Sequence, residues 1–140
     1  FGYSVAIDGD TIVVGAYSKD SYRGAVYVFR TSDGGATYGQ VARLTASDAA
    51  ADDNFGISVA IDGGTVVVGA RSDDDGGTST GSAYVFRTSD GGATYGQVAK
   101  LTASDAASFD YFGISVAIDG GTVVVGAYRD NDAGTDSGSA

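Results

Sequence analysis

The sequence predicts an all-β protein: β-propeller blades, each of four short antiparallel strands, about two and a half of them in 140 residues, forming an incomplete ring. Three observations lead there. Residues 1–16, 55–70 and 112–127 are copies of one segment, the last two identical. Each copy holds two apolar runs joined by a Gly/Asp turn, the pattern of a hairpin. No stretch shows helical periodicity, and a short helical turn at residues 104–107 is the most the pattern allows.

Phe1, Phe55 and Phe112 open three units, residues 1–54, residues 55–111 and a partial unit at residues 112–140 with its first two strands and a loop. The units are offset by 54 and 57 residues, and the difference lies in one loop, Gly15 to Gly24 against Gly69 to Gly81. In the second unit, residues 57–61 alternate apolar with small or polar side chains, as a half-buried strand does. Asp62, Gly63 and Gly64 supply a tight turn. Residues 65–69 form a continuous β-branched run, which suits a central strand covered on both faces. An acidic loop leads to a third strand at residues 83–88, with Tyr84 and Phe86 on one face and Val85 on the other. After a turn beginning at Ser89, residues 97–102 make the fourth strand. A sheet apolar on both faces must stack on a neighbour, so stability is shared along the array. Two and a half blades fall short of the roughly four a ring needs. Other propeller blades, of the same chain or of other copies, are therefore expected partners.

Composition narrows the function. There are 8 basic and 18 acidic residues, a net charge of −10, which disfavours nucleic acid and anionic membrane surfaces as partners. No apolar run approaches the ~18 residues of a membrane span, so no membrane insertion is expected. The chain has no Cys and no His, which removes disulfides, thiolate metal sites and the commonest general base. There is no Met and no hydrophobic leader before Phe1, so the sequence reads as a processed product or an excised segment.

The Phe-Gly pair opening each unit, followed by Val-Val-Gly-Ala about a dozen residues on, resembles the FG-GAP repeat. That family includes the blades of the integrin alpha-subunit propeller and many microbial and protist surface proteins. The resemblance implies a propeller fold, an extracellular or cell-surface location, and adhesion or scaffolding without catalysis. It covers nearly the whole chain, since the Ala-Tyr-Val-Phe and Leu-Thr-Ala-Ser-Asp segments are also similar to the microbial type. Tyr17, Arg71 and Tyr128 stand where the family pattern has Pro. Many members carry a Ca²⁺ loop between the first two strands. Here that connection has shrunk to Asp8-Gly9-Asp10, Asp62-Gly63-Gly64 and Asp119-Gly120-Gly121, too short to wrap six or more oxygens around the ion.

The longer loops are the better Ca²⁺ candidates. Asp130, Asp132 and Asp136 alternate around a Gly, and Asp73 and Asp75 occupy the matching loop of unit two. The same residue mix also suits a solvated Asp/Gly turn. Asp48, Asp52, Asp53, Asp105 and Asp110 precede each Phe-Gly and are expected to end the fourth strand and cap a turn. Tyr27, Phe29, Tyr84 and Phe86, with Tyr38 and Tyr95, read as inter-blade packing, with a sugar-stacking platform as the alternative. No Gly-x-Ser-x-Gly elbow or phosphate-cradling Gly-Lys-Ser/Thr is present. Residues 27–50 and 84–107 differ only at Arg43 and Lys100, a uniformity that favours repeated display over a unique active site. The expected function is a non-catalytic extracellular propeller segment for adhesion or scaffolding, Ca²⁺-assisted, with a protein or glycan ligand. The alternatives are an accessory domain of a larger secreted enzyme and the repeating wall of an extracellular filament.

Overall fold

The computed structural model describes residues 1–131 and 134–140; Asp132, one of the expected Ca²⁺ ligands, lies outside the described residues. The first sheet runs β1 (Ser4–Asp8), β2 (Thr11–Gly15), β3 (Val26–Arg30) and β4 (Gly39–Leu44), adjacent in space as in sequence. The second repeats it as β5 (Phe55–Asp62), β6 (Thr65–Ala70), β7 (Ser82–Arg87) and β8 (Gly96–Leu101). A third sheet contains β9 (Ser115–Asp119) and β10 (Thr122–Gly126). Within the sheets every strand pairing among the described residues is antiparallel, and both complete sheets shift register at the same place, between Val28 and Phe29 and between Val85 and Phe86. The fold is all-β, in blades of four antiparallel strands, as the repeat pattern predicts.

The local chemistry accounts for the elements. Asp62 pairs with Thr65 across the two-residue turn of Gly63 and Gly64, with Gly63 at φ +54°. Val66, Val67 and Val68 are all fully buried, as the β-branched run requires of a strand covered on both faces. One element departs from expectation. The loop after β2 contains a four-residue turn, α1 (Lys19–Tyr22), in which Asp20, Ser21 and Tyr22 sit at φ between +52° and +59°. Residues 104 and 105 form a plain turn and no helix.

The blades stack face to face, β5 across β1 and β2, and β9 across β5 and β6. The main core lies between the first two. Val13, Val26, Val28 and Leu44 of the first sheet meet Phe55, Val66, Val68, Tyr84 and Phe86 of the second. Phe55 is fully buried, its ring edge-on to Tyr84 and Phe86 at 5.5 and 6.0 Å. Each such side chain contributes about 1.5–3 kcal/mol of burial. The Phe-Gly landmark is the seam itself. Gly24 forms a parallel bridge with Phe55, and Gly81 repeats it with Phe112. At Gly24, φ is +83° and a Cβ would stand 1.9 Å from the Phe55 carbonyl oxygen, so no side chain fits.

Candidate functional site

Two sets of polar contacts cross the seams, and the repeat duplicates the first. The Ser4 hydroxyl donates to the Gly56 carbonyl at 2.8 Å, and the Ser58 hydroxyl donates to the Gly113 carbonyl at the same distance. The hairpin Asp residues reach across as well. Asp8 Oδ2 accepts the Gly63 N–H at 2.6 Å and Asp62 Oδ2 accepts the Gly120 N–H at 2.9 Å. Where many members of the resembling family hold an ion, this chain uses the Asp to tie one hairpin tip to the next.

The second set converges on Lys100 in β8. Its Nζ lies 2.8 Å from Asp48 Oδ2, 3.0 Å from Asp73 Oδ2, and in contact with Asp75 Oδ2. Asp73 and Asp75 come from the β6–β7 loop of the same blade, whereas Asp48 comes from the segment after β4 of the preceding one. The Tyr84 hydroxyl lies 2.5 Å from Asp73 Oδ2 and 2.9 Å from Asp48 Oδ1, so its one proton serves two carboxylates. The ammonium also sits 5.2 Å from the centroid of the Tyr84 ring. Asp73 is 3% exposed, so its charge needs this pairing.

The electrostatics follow from this arrangement. Burial opposes the charge on Lys100, but hydrogen bonds to Asp48, Asp75 and Asp73 outweigh it and hold the amine above its ordinary pKa. Burial likewise opposes ionisation of Asp48, yet Lys100 and Tyr84 hold its pKa below the usual value. Burial, then Asp73 and Asp48, push the Tyr84 phenol up, so it stays a donor. Beside this cluster Asp53 is pushed up to about 6 by burial, with the Ala50 N–H opposing and the charges of Asp73, Asp48 and Asp74 adding to the rise.

The expected ligands are thus distributed as follows. Asp73 and Asp75 come together with Asp48, whose part sequence reasoning missed by assigning it to a turn. The one signal that could have found it is the Arg43/Lys100 difference, since that is where the strand meets the loop. Asp53 and Asp110 do cap turns, accepting the Ala50 and Ala107 N–H groups at 2.6 Å. Asp130 Oδ2 accepts the Ser139 hydroxyl at 2.6 Å, and Asp136 Oδ1 lies 4.0 Å from Arg129 Nε. Among the described residues, the group of three carboxylates close enough to share an ion is Asp48, Asp73 and Asp75, within 4.8 Å of one another. It fits Ca²⁺ poorly, because an ammonium already stands at its focus.

Of the aromatic pairs, Tyr84 and Phe86 pack between blades with Tyr95 against them, while Tyr38 is exposed. Stacked antiparallel blades with the Phe-Gly seam define a propeller-type repeat protein. The FG-GAP repeat model matches residues 1–29, 38–86 and 95–140, and the chain belongs to that family. No curated protein matches it. Among the described residues no helix is long and apolar enough to cross a membrane.

Proposed function

We propose that the chain is a non-catalytic extracellular or cell-surface propeller segment that serves adhesion or scaffolding through its loops. One observation carries this reading: the same rigid turn is displayed twice. Asp33 accepts hydrogen bonds from the Thr37 N–H and hydroxyl and from the Thr31 hydroxyl. Asp90 does the same with Thr94 and Thr88. Those hydrogen bonds, Thr37 and Thr94 first, hold both carboxyls well below the usual range, so each tip is a fixed, charged surface in solution. Two identical tips on a stiff array suit multivalent contact with a protein or glycan.

The test is adhesion of beads carrying the chain to surfaces coated with polysaccharide or matrix protein. Asp33→Ala with Asp90→Ala should weaken adhesion more than either change alone. Undiminished adhesion by the double variant would remove the turns from the proposal. Ca²⁺ assistance is a separable part, with Asp130, Asp132 and Asp136 as its candidates, and a Ca²⁺ titration decides it.

A second reading, the repeating wall of a filament, is favoured by the apolar face of β1, where Val5 and Ile7 are each 66% exposed. Sedimentation separates the two readings, since a monodisperse closed particle rules the filament out.

A further inference from the structure

The two complete units are nearly the same sequence, so the places where they differ locate what each needs. Residues 27–50 and 84–107 differ only at Arg43 against Lys100. The loop that faces this position differs too. In unit one it offers Asp20, flanked by Lys19; Arg43 Nη2 meets Asp20 Oδ2 at 2.7 Å, and all three side chains are exposed. In unit two it offers Asp73 and Asp75, and Asp48 of the previous blade joins them. A planar guanidinium suits one carboxylate, whereas a compact ammonium with three donors suits three carboxylates converging from different directions. The cation changes with the acids it serves.

Three carboxylates within 4.8 Å of one another repel, and water cannot screen Asp73, whose side chain is 5% exposed. Such a group requires a cation. A Ca²⁺ ion would need oxygens at about 2.3–2.6 Å around the point that Nζ occupies. The hairpin Asp residues that could have offered another site are spent on Gly63 and Gly120.

We propose that Lys100 is a built-in structural cation: its ammonium fills a divalent-metal position at the seam between the first two blades, so this clamp works without metal, and only loss of the amine opens it to Ca²⁺. The clamp is internal to the blade pair and stands or falls independently of the adhesion reading.

The experiment compares thermal unfolding of the full chain, wild type and variants, in chelator and in millimolar Ca²⁺. Lys100→Arg should respond to Ca²⁺ as the wild type does. Lys100→Met should melt lower in chelator and gain roughly 4 °C or more beyond the wild-type response when Ca²⁺ is added. Adding Asp75→Asn to Lys100→Met should abolish that extra gain. Any Ca²⁺ bound in the third unit affects all variants alike and cancels in the difference. A Lys100→Met response no larger than that of the wild type overturns the proposal. If Lys100→Met does not fold, the side-chain NMR signal of the wild-type Lys100 ammonium decides: unmoved by Ca²⁺ it supports the clamp, and displaced by Ca²⁺ it overturns it.

Discussion

Phe1 and Phe55 open the same motif in two successive blades, yet Phe1 is 76% exposed and Phe55 is fully buried. Both rings stand edge-on over the Tyr and Phe of their own third strand, Phe1 at 5.5 Å from Tyr27 and Phe55 at 5.5 Å from Tyr84. The difference is the neighbour. The face of the second blade that carries Phe55, Val66 and Val68 is covered by the first blade, whereas the equivalent face of the first blade, which carries Phe1, leaves Val5 and Ile7 exposed to solvent. A blade therefore sets its own internal geometry and borrows its stability from the next blade, as expected where each unit meets only its neighbours.

The largest effect that would break this equivalence is truncation of the ring. Phe55→Ala should cost about 3–5 kcal/mol. Phe1→Ala, at a site already in water, should cost under about 1 kcal/mol. Denaturant melts of the two variants measure both. Equal losses would mean that the first face is covered in solution.

Next comes the seam glycine. Gly24→Ala must place a Cβ against the Phe55 carbonyl at a φ of +83°, and should cost about 3 kcal/mol by strain and displacement of the blade junction. Gly34→Ala has a similar φ of +70° but open space around it, so it should lose only about 1 kcal/mol. The difference between the two isolates the close approach from the backbone conformation.

A third comparison uses pH. Asp53 has a folded pKa of about 6, above its ordinary value, so the folded state holds the proton more tightly than the unfolded one. Stability from this group is full below about pH 4 and is lost as pH rises through 6, amounting to about 2 kcal/mol. Asp48, held below its ordinary value, works in the opposite window and loses its contribution as pH falls below about 4. Asp53→Asn keeps an acceptor for the Ala50 N–H and should flatten the slope between pH 4 and 6, raising stability at neutral pH. Chemical denaturation across that range measures it. An unchanged slope would clear Asp53.

Most of the fold was legible because it repeats. Alternation, the β-branched run and the Gly turns each appear in register, and Tyr84 and Phe86 pack on the face that alternation assigns them. The site was less legible. Its members sit at positions 48, 73, 75, 84 and 100, and only stacking of one blade on the next brings Asp48 to the others. Spacing along a loop could pair Asp73 with Asp75, but could not reveal that an amine from a strand after them would occupy their focus. The left-handed turn at Asp20 to Tyr22 was invisible for a related reason, since none of those residues is a Gly that would advertise positive φ.

The smallest expected effect tests the clamp against its own repeat. Tyr27 and Tyr84 are the same residue in the same strand position, but of the two it is Tyr84 whose hydroxyl donates to the carboxylates of Asp48 and Asp73. Removing its hydroxyl leaves Asp73 buried with the Lys100 ammonium and the Asp75 N–H as its remaining donors, so Tyr84→Phe should cost about 1–2 kcal/mol. Tyr27→Phe removes a hydroxyl with no such partner and should change stability by less than about 0.5 kcal/mol. In Lys100→Met the Tyr84→Phe cost should grow, because the phenol is then the last donor to Asp73 Oδ2 among the described residues, and a double-mutant cycle reads that coupling directly. A cycle with no coupling would mean that phenol and ammonium act on the carboxylates separately, and the seam would then be held by two independent contacts and not by one clamp.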